Sequence, residues 1–214
     1  MAVLVTQEAP DFTATALMPD GTFKEGFKLS EYRGKKVVLF FYPLDFTFVC
    51  PSELLAFHNR MTEFTSRDTV VIGCSVDSHF THLAWSNTPV ENGGIGQLSY
   101  PLVADLDKSI AANYDVLLGS EHILDDDGTI YTVGGAVALR GSFLIDEKGI
   151  VRHQVVNDLP LGRNVDEMLR MIDALDFHTS NGDVCPAGWS KGKEGMKPTK
   201  EGVASYLAEN AGAL

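Results

Sequence analysis

The stretch Pro43-Leu44-Asp45-Phe46-Thr47-Phe48-Val49-Cys50-Pro51-Ser52-Glu53 brings a hydroxyl, a thiol and a carboxyl together at the join between an apolar run and a helix start. Pro51 is a residue favoured in the first turn of a helix, which puts Cys50 at the N-terminus of one. There the unpaired amides and the helix dipole favour negative charge, and therefore a thiolate over a thiol. Full conversion of an ordinary thiol to thiolate at pH 7 raises the reactive fraction only about thirty-fold, or about 2 kcal/mol. That is small beside a catalytic acceleration, so a nucleophile here also needs donors aimed at the charge developing on the reacting group. Thr47, on the same side of a helical turn as Cys50, is one candidate donor. Arg140, which opens an apolar strand, is another, because a buried arginine is costly without an anionic partner. The competing reading of Cys50 is a small buried hydrophobe.

The other thiols and histidines read differently. Cys74 lies inside the apolar run Val70-Val71-Ile72-Gly73-Cys74-Ser75-Val76 and is expected to be inert core. Cys185 sits in loop-like GDVCPAGW, where a disulfide to another segment or chain is feasible. There is no C-x-x-C, and three cysteines are too few for a disulfide scaffold. His58 is two helical turns from Cys50, about 12 Å along the axis, too far to share a metal ion. His79 and His82 have no evident third ligand, which favours solvated or core histidines. Asp125-Asp126-Asp127 lacks the alternating acidic ligands and the distal glutamate of a calcium loop.

These residues need a frame, and the pattern supplies an α/β one. Short continuous apolar runs alternate with amphipathic stretches, as in strands buried on both faces and covered by helices. Strands are expected at 36–42 and 69–76, joined by a helix after Pro51 in which Leu54, His58, Met61 and Phe64 recur at helical spacing. A helix at 79–87, a strand at 100–104 and a helix at 108–114 follow. Residues 138–146 and 150–156 flank a Glu147-Lys148-Gly149 turn and read as a hairpin. Val165, Met168, Leu169, Ile172 and Leu175 mark an amphipathic helix. Residues 119–136 suggest a small extra hairpin around the acidic turn. The expected organisation is a body over 1–177 and a tail over 178–214, the tail holding Cys185 and a short helix in which Val203, Tyr206 and Leu207 share a face.

Composition narrows the partners. The 214 residues carry 29 acidic against 17 basic side chains, a net charge of -12. That balance, with no basic cluster longer than Lys35-Lys36, disfavours nucleic acid or an anionic membrane surface. No apolar run reaches the ~18 residues that span a bilayer, and the N-terminus lacks the pattern of a signal peptide. A cytoplasmic protein is the expectation.

Taken together, the residues resemble the typical two-cysteine peroxiredoxins, thiol peroxidases with a thioredoxin-like fold. FYPLDFTFVCPSE carries that family's P-x-x-x-T-x-x-C as Pro43, Thr47 and Cys50; VNDLPLGRNVDE and GDVCPAGW match two further segments. The resemblance runs from Ala9-Pro10-Asp11-Phe12 to the tail, apart from residues near 119–136. It implies a central mixed sheet flanked by helices and the reduction of hydrogen peroxide and alkyl hydroperoxides. Cys50 would attack the peroxide and become a sulfenic acid. Thr47 would hydrogen-bond the peroxide, Pro43 would shield the thiolate from water, and Arg140 would stabilise thiolate and polarised O–O bond, with Glu53 and Arg163 orienting it. Cys185 would resolve the sulfenic acid by an intersubunit disulfide with Cys50. Trp85 and Gly93-Gly94-Ile95-Gly96 match a segment packed around the site. A homodimer, often a ring of five dimers, is implied, together with reduction by thioredoxin or a dedicated flavoprotein; no metal, flavin or haem is. The alternative from another class is a redox-controlled holdase chaperone or peroxide sensor.

The sequence departs from the family pattern in three places. GGIG replaces the usual GGLG, Tyr206-Leu207 replaces the usual Tyr-Phe pair, and the 119–136 segment is longer than the usual connection, either a plain surface hairpin or an element that alters ring contacts or docking. In the family the first two elements cover the folded site and so expose the sulfenic acid to a second peroxide. Both substitutions keep apolar bulk, so sensitivity to over-oxidation is expected here. Mass spectrometry of Cys50 across a peroxide series should show sulfinic acid at high excess; disulfide alone throughout would contradict this.

Overall fold

The computed structural model describes residues 3–119, 121–124, 128 and 130–213. In chain order the elements are β1 (Thr13–Leu17), β2 (Phe23–Lys28), β3 (Lys36–Phe41), α1 (Cys50–Asn59), α2 (Met61–Thr65), β4 (Thr69–Ser75), α3 (His79–Ser86), β5 (Leu102–Ala104) and α4 (Ser109–Asn113). They continue with β6 (Leu117–Leu118), β7 (Glu121–Leu124), β8 (Ile130–Val133), β9 (Val137–Ala138), β10 (Arg140–Ile145), β11 (Val151–Asn157), α5 (Val165–Asn181) and α6 (Lys200–Asn210). The chain falls into two compact units, residues 1–163 and 164–214.

The first unit is built on a seven-stranded mixed sheet in the order β11-β10-β3-β4-β5-β1-β2. β3, β4 and β5 run parallel, and the strands outside them pair antiparallel. β3 is buried along its whole length, as its unbroken apolar run requires. The two-residue period of the strand divides its side chains between faces. Val37, Leu39 and Phe41 enter a core with Phe27, Ile72, Val103, Tyr114 and Phe143. Phe40 faces the other way, stacked on Phe57 of α1 with ring centroids 4.3 Å apart and edge-on to Tyr100. A side chain at Gly73 in β4 would press to 3.1 Å of the Phe40 ring and 2.8 Å of Leu102, so this strand position is kept empty for them.

The crossover from β3 to β4 is helical as expected, but it is two helices and not one. Arg60, at φ −105 and ψ 7, leaves the helical region between α1 and α2. The bend brings Phe64 to 5.8 Å from Phe57. β1 and β2, joined through Asp20-Gly21, form a hairpin that the sequence reading did not anticipate. The suggested hairpin within 119–136 is present as β7 paired antiparallel with β8. Asp125 to Asp127, the disfavoured calcium loop, lie outside the described residues.

The second unit begins before α5, earlier than the boundary at 177 expected from the sequence. The reason is that α5 and the tail are tied together. Arg170 donates to the Trp189 carbonyl at 2.6 Å, Lys191 pairs with Asp173 at 3.2 Å, and the Phe177 and Trp189 rings lie 4.9 Å apart. Asn164 caps α5 by accepting from the Asp166 and Glu167 amides, and Thr199 caps α6 by accepting from the Gly202 amide.

Replacing Phe57 by alanine would empty the space between Phe40 and Phe64. The expected cost is about 3–5 kcal/mol in a urea unfolding titration, and a change under about 1 kcal/mol would contradict this packing.

Candidate active site

The site lies beyond the carboxyl end of β3, where open α/β sheets place their ligands. Cys50 is the first residue of α1, with Pro51 behind it. Its sulfur is fully buried in the described structure. Two donors reach it: Thr47 Oγ1 at 2.9 Å and Arg140 Nη1 at 3.4 Å. Thr47 Oγ1 also lies 2.8 Å from the Leu44 carbonyl. A hydroxyl has one proton, so it serves one of these acceptors at a time. With that proton on the Leu44 carbonyl, the Thr47 oxygen can accept from a thiol S–H; with Cys50 ionised, the proton turns to sulfur.

Arg140 is held by a clamp. Its Nη1 donates to Glu53 Oε2 at 2.6 Å and its Nε to the Leu159 carbonyl at 2.7 Å. Glu53, one helical turn after Cys50, is in turn bound by Arg163, which donates from its amide (3.0 Å) and Nε (2.9 Å) to Oε1 and from Nη2 to Oε2 (3.0 Å). Arg163 Nη1 donates to the Phe41 and Gly141 carbonyls at 2.7 and 2.8 Å, and its guanidinium lies 4.9 Å from the Phe40 ring centre. Burial pulls the Arg163 guanidinium down from its ordinary range, and the Glu53 carboxylate opposes the shift. Glu53, Arg140 and Arg163 are all buried, their side chains between 2 and 4% exposed. Two cations against one carboxylate leave one positive charge uncompensated, and an anion at the Cys50 sulfur would balance it.

The segment before α5 is arranged for this purpose. Asn157, ending β11, donates to the Leu161 and Gly162 carbonyls and shapes the turn that delivers Arg163. Pro43 is buried at the start of the Cys50 loop. Trp85 is fully buried, with its ring 5.7 Å from Phe46 and 6.2 Å from Tyr42, and its indole N–H donates to the Gly93 carbonyl at 2.9 Å. Within that glycine loop Gly94 admits no other residue, since a Cβ there would stand 1.8 Å from the Thr88 carbonyl oxygen.

Pro43, Thr47, Cys50, Glu53, Arg140, Arg163 and Trp85 are thus gathered in the first unit. Cys185 belongs to the second, half-buried, its sulfur 3.5 Å from the Ala174 carbonyl. Burial pushes its thiol up, and the Arg170 guanidinium partly offsets that. Cys74 is wholly buried and its thiol is pushed well up by burial. His82, read as a solvated or core histidine, is a core one with a carboxylate partner, Asp45, at 2.7 Å. Sequence reasoning missed that partnership. The only signal was an acid inside the Cys50 loop, which on its face is an ordinary turn residue.

The comparisons with known proteins cover the whole of this arrangement. Residues 5–154 match the AhpC/TSA family and residues 174–209 the C-terminal domain of 1-Cys peroxiredoxin. Alkyl hydroperoxide reductase C of Helicobacter pylori strain J99 is 54% identical over 98% of both chains. Peroxiredoxin-1 of Gallus gallus is 51% identical over 96% of both. The reduced 2-Cys peroxiredoxin of Plasmodium vivax superposes with a TM-score of 0.87 at 48% identity, covering 97% of this chain and all of that one. With a thioredoxin-like sheet, and half its residues shared with these relatives from end to end, the chain belongs to the AhpC/TSA family and is a peroxiredoxin.

Proposed function

We propose that Cys50 is the thiol that reduces peroxides in this thiol-dependent peroxidase, with Thr47 and Arg140 acting on the substrate and Cys185 resolving the product. The observation that carries this reading is the buried Cys50 sulfur flanked by the Thr47 hydroxyl at 2.9 Å and the Arg140 guanidinium at 3.4 Å. The thiolate attacks the terminal oxygen of the peroxide; an S–O bond forms as the O–O bond breaks. Sulfur is oxidised to sulfenic acid, and the departing oxygen leaves as water or an alcohol after taking a proton. Negative charge passes from sulfur to the departing oxygen, and a fixed guanidinium and hydroxyl beside that path lower the barrier without reorganising. Glu53 and Arg163 keep Arg140 in place, Trp85 supports the loop, and Pro43 keeps water from the thiolate.

Cys185 of a partner chain then attacks the sulfenic sulfur, expelling water and forming the Cys50–Cys185 disulfide. Thioredoxin or a dedicated flavoprotein returns both thiols. Sulfur supplies both electrons, so the step as written needs no flavin, haem or metal. The unit of function is a homodimer, assembled as a ring of five dimers, in the reducing environment of the cytoplasm. Hydrogen peroxide and alkyl hydroperoxides share the terminal oxygen that is attacked, which makes both substrates.

Turnover of hydrogen peroxide with a thioredoxin system should vanish in Cys50→Ser. In Cys185→Ser it should stop after one stoichiometric oxidation, and neither variant should give the peroxide-induced dimer on non-reducing electrophoresis. Full turnover by Cys50→Ser would overturn the mechanism. Glu53→Gln removes the one anion between two buried guanidinium groups and should cost about 3–5 kcal/mol of stability in chemical denaturation. Wild-type stability together with a wild-type peroxide rate would show that the clamp is dispensable.

A further inference from the structure

Two residues before Thr47, Asp45 is buried although its neighbours Leu44 and Phe46 are exposed. Its side chain is wholly enclosed, as is that of His82 on α3. Asp45 Oδ1 accepts from the Tyr42 hydroxyl at 2.9 Å, and Oδ2 lies 2.7 Å from His82 Nδ1. His82 Nε2 faces the Val103 carbonyl at 3.3 Å. The Asp45 amide donates to Asp77 Oδ2 at 2.9 Å, and that carboxylate also accepts from the Ser75 hydroxyl. One loop residue is thereby fixed, through both backbone and side chain, to the ends of β3 and β4 and to α3. The next residue, Phe46, has φ +54, a left-handed conformation that bulky residues rarely hold unless the surroundings impose it.

A buried carboxylate–imidazole contact is a poor device for stability, because the desolvation of its groups offsets their attraction; what it supplies is a defined geometry. No peroxide can reach the enclosed Asp45–His82 pair, so it does not touch the substrate. We infer that Asp45, held by Tyr42 and His82, is a positioning residue for the peroxide step: it fixes the loop so that the Thr47 hydroxyl stays at the Cys50 sulfur and the incoming oxygen. The inference rests on the proposed roles of Cys50 and Thr47. It separates two properties of the site. Negative charge on Cys50 is favoured by the start of α1 and by the Arg140 guanidinium as well as by the Thr47 hydroxyl, and the first two do not depend on the loop; the hydroxyl that meets the substrate does.

The test compares two single-turnover reactions of Cys50 in the full-length protein, oxidation by hydrogen peroxide and alkylation by iodoacetamide. The second needs the thiolate but no donor to an oxygen. A wild-type protein whose Cys50 did not react rapidly with peroxide would refute the proposed function itself, before any variant is compared. Asp45→Ala should slow the peroxide reaction by roughly 100-fold, the scale of a misplacement of about 1 Å. Alkylation should stay within about threefold of wild type, since it follows the thiolate and the helix start and Arg140 remain beside the sulfur when the Thr47 hydroxyl shifts. Asp45→Asn should restore most of the peroxide rate, because its carbonyl accepts from Tyr42 while its amide donates to His82 Nδ1, with Nε2–H turned to the Val103 carbonyl. Tyr42→Phe deletes a single hydroxyl and keeps the ring in the core. It should slow the peroxide reaction alone by several-fold, and it serves if Asp45→Ala does not fold. Equal peroxide rates in wild type and Tyr42→Phe, or a parallel loss of both reactions in Asp45→Ala, would overturn the inference.

Discussion

The carboxylate of Glu53 between two guanidinium groups is the contact on which the rest of the site depends. Through Arg140 it reaches the first residue of β10, and through Arg163 it reaches the end of β3 and the Gly141 carbonyl. α1, which carries Cys50, is thus fastened to the middle of the sheet at the candidate site. Burying three charges is expensive, and a well-packed apolar cluster of the same volume would do as much for stability. What the clamp provides is an arginine that cannot turn away, with a positive charge that its own carboxylate does not fully cancel.

The clamp works because it is dry. Phe40 lies under Arg163, Phe57 stacks on Phe40, and Tyr100 meets Phe40 edge-on while its hydroxyl donates to the Leu54 carbonyl of α1 at 2.7 Å. This aromatic layer excludes water from one side of the charged groups and raises the strength of every interaction among them. The same rings pack α1 on the sheet, so the part of the fold that burial stabilises and the candidate site share their side chains.

Much of this was legible in the sequence because single residues carried strong physical signals. A continuous apolar run fixed β3 as a central strand, Pro51 marked the helix start, and an arginine opening an apolar strand demanded an anion, which the structure supplies as Glu53. The unread parts are those whose meaning lies in a distant partner. Asp45 looks like a turn residue until His82 is placed beside it, and the tie between α5 and the tail rests on pairs such as Arg170 with Trp189 that no local pattern announces. The β1–β2 hairpin was missed for another reason. TATAL and FKEGFK are too short and too weakly apolar to stand out, although Asp20-Gly21 is a favourable turn pair. The bend at Arg60 falls inside a stretch whose helical spacing continues unbroken across it, so periodicity alone could not locate it.

The position of Glu53 also sets a limit on motion. Helices fray from their ends, and α1 begins with Cys50 and no side-chain cap on its first turn. Fraying that starts at Cys50 meets, one turn later, a carboxylate bolted to two arginines that are themselves tied to strands. The structure thus fixes the helix three residues after Cys50, so that loosening of its first turn alone would leave Glu53 and both guanidinium groups in place.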